Sequence, residues 1–148
     1  MELNPFTDIY FMKEALKEAR KALELDEVPV GCVIVCENKI ISRTHNYTQK
    51  LNDVTAHAEV LAITAAADYL GSKYLSDCIL YVTLEPCIMC AGASYWAQFK
   101  KIVFGARDLK RGYSSLSKNI LHPKTKVVGN VLNEECTKLL RDFFKKKR

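Results

Sequence analysis

The sequence predicts an α/β fold: a three-layer α/β/α sandwich around one central mixed sheet of about five strands, mostly parallel. Two observations carry that prediction. Short β-branched apolar runs alternate with segments of helical periodicity. The runs are nearly continuous in their apolar character, as in strands covered on both faces. The chain has 148 residues, 49% hydrophobic and 26% charged, which suits one domain over 1–148 with a single core.

The elements follow in order. Thr7 is placed to cap a first helix, with Phe6 and Phe11 as a hydrophobic staple and Asp8 at the positive helix end. Met12, Leu16, Ala19 and Leu23 share one face of it. Val28–Val35 reads as a buried strand, Glu37-Asn38-Lys39 as a turn, and Lys39–Arg43 as the hairpin partner. Thr55 is expected to cap a helix to Leu70, stopped by Gly71. Cys78–Thr83 is a second buried strand, Cys87–Gln98 a helix and Lys101–Gly105 a strand. Residues 107–126 read as loop, and Val127-Val128 as a short edge strand. Asn133 is expected to cap a last helix to about Lys145, with Cys136, Leu139, Leu140 and Phe143 on its apolar face. There is no internal repeat, low-complexity segment or linker.

The net charge is +5, but residues 1–99 sum to −5 and residues 100–148 to +10. A basic second half suits a phosphate-rich partner, and equally a solvated lysine-rich helix end. No apolar run approaches the roughly 18 residues of a membrane span, so no membrane association is expected. The N-terminus lacks an apolar h-region, so no secretory signal is read and a cytoplasmic location is expected. In that reducing setting the six cysteines point to metal or redox chemistry before disulfides.

Cys87 and Cys90, in Thr83-Leu84-Glu85-Pro86-Cys87-Ile88-Met89-Cys90, stand at i and i+3 at a predicted helix start. Both sulfurs can face one side there, and the helix end favours thiolates. Two thiolates do not complete a zinc shell, and histidine is the usual third ligand. Of His45, His57 and His122, only His57 sits at a helix start behind a strand with a carboxylate two residues on, Glu59. Alone it would read as a cap or a satisfied core residue. Together with Pro-Cys-x-x-Cys it reads as a metal ligand. Two cysteines and one histidine leave a fourth position open, the catalytic arrangement, where zinc lowers the pKa of water to around 7. Cys32, Cys36, Cys78 and Cys136 read as small core residues, so structural zinc is disfavoured. A thioredoxin-like dithiol would leave His57 and Glu59 unexplained. Glu59 is the candidate general acid/base, although an ideal helix places it about 200° from His57. Glu85 competes with it, its place before Pro86 favouring a loop-anchoring role, and spacing does not decide between them.

His-x-Glu followed by Pro-Cys-x-x-Cys is the signature of the zinc-dependent cytidine deaminase superfamily. Further blocks, Val28–Gly31, Thr55–Glu59, Leu80–Cys87, Met89–Ala93, Val103–Asp108 and the ending Asp142-Phe143-Phe144, resemble bacterial tRNA-specific adenosine deaminases over nearly the whole chain. The resemblance implies a cytidine deaminase-like fold and hydrolytic conversion of adenosine to inosine at the tRNA wobble position, A34. It implies one zinc ion per subunit on His57, Cys87 and Cys90, with Glu59 as proton shuttle. It also implies a base-binding Asn46, a pocket lined by Val30, Ala58 and Leu84, and RNA contacts at Asp108, Lys110, Phe144, Lys147 and Arg148. Read without it, Asn46 is equally a turn residue, and Phe143 and Phe144 are core-facing. The partner implied is a tRNA anticodon stem-loop, which gives the basic half a reason, and the assembly implied is a homodimer. Residues 109–126 depart from the family pattern, and Ser94–Ala97 resembles the guanine deaminases, so a free purine base or nucleoside is the alternative substrate. A zinc-stabilised RNA-binding module without catalysis is the alternative from another class.

Overall fold

The computed structural model describes residues 6–147. The elements are α1 (Asp8–Glu24), β1 (Gly31–Cys36), β2 (Lys39–His45), α2 (Thr48–Leu51), α3 (Ala58–Leu70), β3 (Cys78–Leu84), α4 (Ile88–Ala97), β4 (Lys101–Ala106), a 3₁₀ turn (Tyr113–Ser115), β5 (Lys126–Val128) and α5 (Asn133–Lys146). The five strands form one mixed sheet in the order β2-β1-β3-β4-β5. β1 runs antiparallel to both β2 and β3, while β3-β4 and β4-β5 are parallel. The expectation of a mostly parallel sheet is therefore corrected: parallel and antiparallel neighbours are equal in number. The cause is the tight turn at Glu37-Asn38, both in left-handed backbone, which folds β2 back beside β1. With β1 also reversed against β3, the start of β1 and the ends of β2, β3 and β4 meet at one end of the sheet.

Two apolar layers hold the helices. α3 and α4 cover one face through Ala58, Ala62, Ala66, Ala91 and Ala97 against Cys32, Ile34, Leu80, Val82 and Ile102. α1 and α5 cover the other through Phe11, Met12, Ala15, Leu16 and Cys136 against Val33, Val35, Tyr81 and Val103. Small helix residues let the backbones come close. At Gly105 the approach is closest to α5, where a Cβ would stand 2.4 Å from the Cys136 sulfur.

Thr7 caps α1 by accepting from the Tyr10 N–H (3.1 Å), and Phe6 stacks on Phe11. Gly71 ends α3 at φ +64°. Three helix starts differ from expectation. His57, not Thr55, is the residue before α3, because Thr55 instead donates its hydroxyl to Asp53 (2.7 Å). Leu132, at φ +56°, precedes α5, so Asn133 is its first residue and not its cap. α2 was not anticipated. It is a single turn, too short to show periodicity, and it is held by Glu27, whose buried carboxylate accepts from the backbone of Gln49 and Lys50 (3.2 and 2.9 Å). No helix among the described residues is long and apolar enough to cross a membrane.

Candidate active site

His57 and Cys87 are the residues preceding α3 and α4, both with extended backbone. The two helices thus bring their N-termini to the strand ends, and Cys90 follows in the first turn of α4. Helical spacing does not apply between His57 and Glu59, since His57 is outside the helix. That is how the two residues come to face the same space despite the angle an ideal helix gives.

The His57 Nδ1 lies 3.6 Å from the Cys87 sulfur and 3.5 Å from the Cys90 sulfur. A tetrahedral zinc with sulfur at about 2.3 Å and nitrogen at about 2.0 Å sets such atoms about 3.5 Å apart. The three side chains form a group whose ligand atoms all lie within 4.8 Å of one another, so their chemistry and spacing fit a zinc ion. The Cys90 thiol donates to the Cys87 sulfur, and with His57 also bonded to it, Cys87 is pulled down to about 4. Cys90 moves strongly upward for the same reason, together with its burial. The pair thus holds one thiolate, on Cys87, at the positive end of α4. His57 is raised by its bond to Cys87.

Glu59, in the first turn of α3, is 4% exposed. Burial pushes its carboxyl up to about 7, with the Cys87 charge adding to the rise. A carboxyl that titrates near neutrality and stands beside a metal site can take and return a proton. Glu85 is also buried, but its oxygens are occupied by backbone N–H groups of Asp108 (3.1 Å) and Ser114 (3.0 Å). Glu85 is thus held by the 108–114 turn, whereas Glu59 meets its own backbone N–H and the Cys90 thiol at the metal group.

A cavity of about 290 Å³ opens above these groups, lined among others by Val30, Asn46, His57, Glu59, Leu84 and Cys87. Asp108, Arg111 and Phe144 stand at the same cavity. Asn46 follows β2, and its Oδ1 accepts from the Ala58 N–H at 2.8 Å. That bond fixes the orientation of the amide and leaves its Nδ2 hydrogens unengaged by any described residue. Ala58 is fully buried and reaches the site through this N–H and not as a lining side chain. Lys110 is exposed and outside the cavity. Lys147 bonds Asp26 (2.5 Å) in a neighbouring hollow, and Arg148 lies outside the described residues. The adjacent phenylalanines part company: Phe143 is 6% exposed and Phe144 48%.

Thr48, Arg111 and Leu140 join the lining without having been singled out in the sequence. Arg111 lies in the stretch where no family pattern applies, and Thr48 in the helix too short to read. Only the helical periodicity of Leu140 carried a signal, and that pointed to the core.

A His/Cys/Cys metal group with a buried carboxyl, set at helix starts along one end of an open sheet, defines a zinc-dependent deaminase. Residues 6–106 match the family model of the cytidine and deoxycytidylate deaminase zinc-binding region. A tRNA-specific adenosine deaminase of Aquifex aeolicus is 48% identical over 144 residues, 94% of this chain and 95% of its own. A solved structure from work on A-to-I editing by tRNA:A34 deaminases superposes with a TM-score of 0.83 at 42% identity, over 88% of this chain and 99% of that one. A guanine deaminase of Bacillus subtilis superposes with a TM-score of 0.65 at 39% identity, over 76% of each chain. The chain belongs to the zinc-dependent cytidine deaminase superfamily, in its tRNA-specific adenosine deaminase branch.

Proposed function

We propose that the protein hydrolytically deaminates adenosine to inosine at the wobble position of a tRNA anticodon. The observation that carries this is the cavity: it is sized for one base and continues to a rim with a cation and a half-exposed aromatic ring, Arg111 and Phe144. A flipped-out base would enter it, and its neighbours in a single-stranded loop would meet the rim. The Nδ2 hydrogens of Asn46 suit the acceptor nitrogens of adenine. Val30 and Leu84 give the base apolar walls. His57, Cys87 and Cys90 would hold zinc, which supplies an activated water when bound. Glu59 would take the proton from that water and deliver it to the departing amino group, since its carboxyl is balanced near neutrality. The cations of residues 100–148 would meet the tRNA backbone.

The whole chain acts as a single deaminase domain on this reading, in the cytoplasm and as a homodimer. Ile88 and Trp96, exposed on α4 at 52% and 72%, offer apolar area for such a contact.

An A34-bearing anticodon stem-loop and free guanine, offered separately, test the reading. Inosine in the RNA is expected. Ammonia from guanine with no inosine in the RNA would overturn it, and tRNA binding without turnover of either would identify a binding module.

A further inference from the structure

The turn from Asp108 to Ser114 forms one wall of the cavity through Asp108 and Arg111. Apolar burial does not hold its leading end in place, as Leu109 is 82% exposed. Within the turn, the Asp108 side chain accepts from the Lys110 and Arg111 N–H groups (3.1 and 2.9 Å), and the Asp108 carbonyl from the Gly112 N–H (2.9 Å). Those bonds shape the turn without attaching it. Attachment falls to the segment after β3 and, at the trailing end, also to Tyr113, which is 5% exposed in the core. The Tyr113 N–H donates to the Pro86 carbonyl (2.9 Å), and Gly112 bridges to Cys87. Glu85 grips both ends: one oxygen accepts from the Asp108 N–H (3.1 Å), and the other from the Ser114 N–H (3.0 Å) and hydroxyl (2.5 Å).

Glu85 is 2% exposed, and among the described residues no cation stands at ion-pair distance from it. Its charge is met by these donors alone, which makes the bonds charge-assisted and directional. The turn also sits directly on the carboxyl. A Cβ on Gly112 would fall 2.4 Å from Glu85 Cδ and 2.5 Å from the Asp108 carbonyl oxygen. Glycine at 112 is therefore needed by the grip itself.

We propose that Glu85 is a positioning residue that locks the 108–114 turn to the Cys87 segment, so that it sets affinity for the RNA substrate and not the rate of the chemical step. The inference rests on the deaminase reading above. An amide at position 85 would turn N–H groups toward the N–H of Asp108 or of Ser114, and that end of the turn would come free.

Two variants, Glu85→Gln and Ser114→Ala, test it. Each is measured for zinc content, for amide hydrogen exchange without RNA, and for kcat and KM on the anticodon stem-loop. Glu85→Gln is expected to keep its zinc and to exchange the Asp108 and Ser114 amides about 10-fold faster or more. Its KM should rise about 10-fold or more with kcat within about 3-fold. Ser114→Ala should move KM the same way by about 3-fold, and the double variant should be no worse than Glu85→Gln. Unchanged exchange, loss of zinc, or a fall in kcat with KM unaltered would each overturn the proposal. If Glu85→Gln does not fold, Ser114→Ala decides: no change in KM overturns the proposal. If the wild type leaves the stem-loop untouched, the function reading fails, while the exchange measurement still judges the grip.

Discussion

Glu59→Gln should remove turnover and yet stabilise the metal-free protein at alkaline pH. Glu59 is 4% exposed, and burial raises its carboxyl from an ordinary 4.5 to about 7. A raised folded-state pKa means that the folded protein holds a proton the unfolded chain has already released. Below about pH 4.5 both states carry the proton and burial of the group costs nothing extra. Between 4.5 and about 7 stability falls as pH rises, and above that the cost is constant. At 1.36 kcal/mol per pKa unit the full cost is about 3 kcal/mol. Glutamine keeps the shape without a charge, so it escapes that cost. Urea unfolding in chelator and reductant would read it: the variant should gain about 2–3 kcal/mol on the wild type between about pH 5 and pH 8. A gain that does not depend on pH, or a wild type that is more stable at pH 8, would refute the reasoning. With zinc restored, the variant should retain the metal and lose about 10²–10⁴-fold in kcat through the missing proton transfer.

Three further outcomes follow from the same geometry. The metal-free protein at about pH 7 should show the ultraviolet absorbance of one thiolate, Cys87, and lose it in Cys87→Ser; no thiolate absorbance at that pH would refute the shared thiolate. Phe144→Ala should raise KM for the stem-loop about 5- to 100-fold by loss of base stacking, with little change in melting temperature. Phe143→Ala should lower stability by about 3 kcal/mol, since that ring is buried; equal behaviour of the two variants would remove Phe144 from the rim. Gly105→Ala, whose Cβ would meet the Cys136 sulfur at 2.4 Å, should cost about 1–3 kcal/mol in denaturant unfolding, and Cys136→Ala should relieve part of it.

Local chemistry in the chain determined much of this protein. Thr7 with Phe6 and Phe11 starts α1, Gly71 stops α3, and the β-branched runs are strands, because caps, staples and hydrophobic period act within a few residues. His57, Cys87 and Cys90 were legible as a metal set because zinc demands particular atoms in a particular number, whatever the fold. Contacts between distant residues decided the rest. The direction of β1 against β3 depends on which strands pair, and period two is the same in either direction. α2 exists through Glu27, more than twenty residues before it. Helical period already sets Phe143 on the apolar face of α5 with Cys136, Leu139 and Leu140, but only the packing of α5 brings its neighbour Phe144 to the cavity. Glu59 and Glu85 are both acids beside a metal-ligand segment. Tertiary structure separates them by what meets their oxygens, which spacing does not show: two backbone N–H groups and a hydroxyl occupy Glu85, while Glu59 lies buried beside the Cys87 and Cys90 sulfurs with its carboxyl raised toward neutrality.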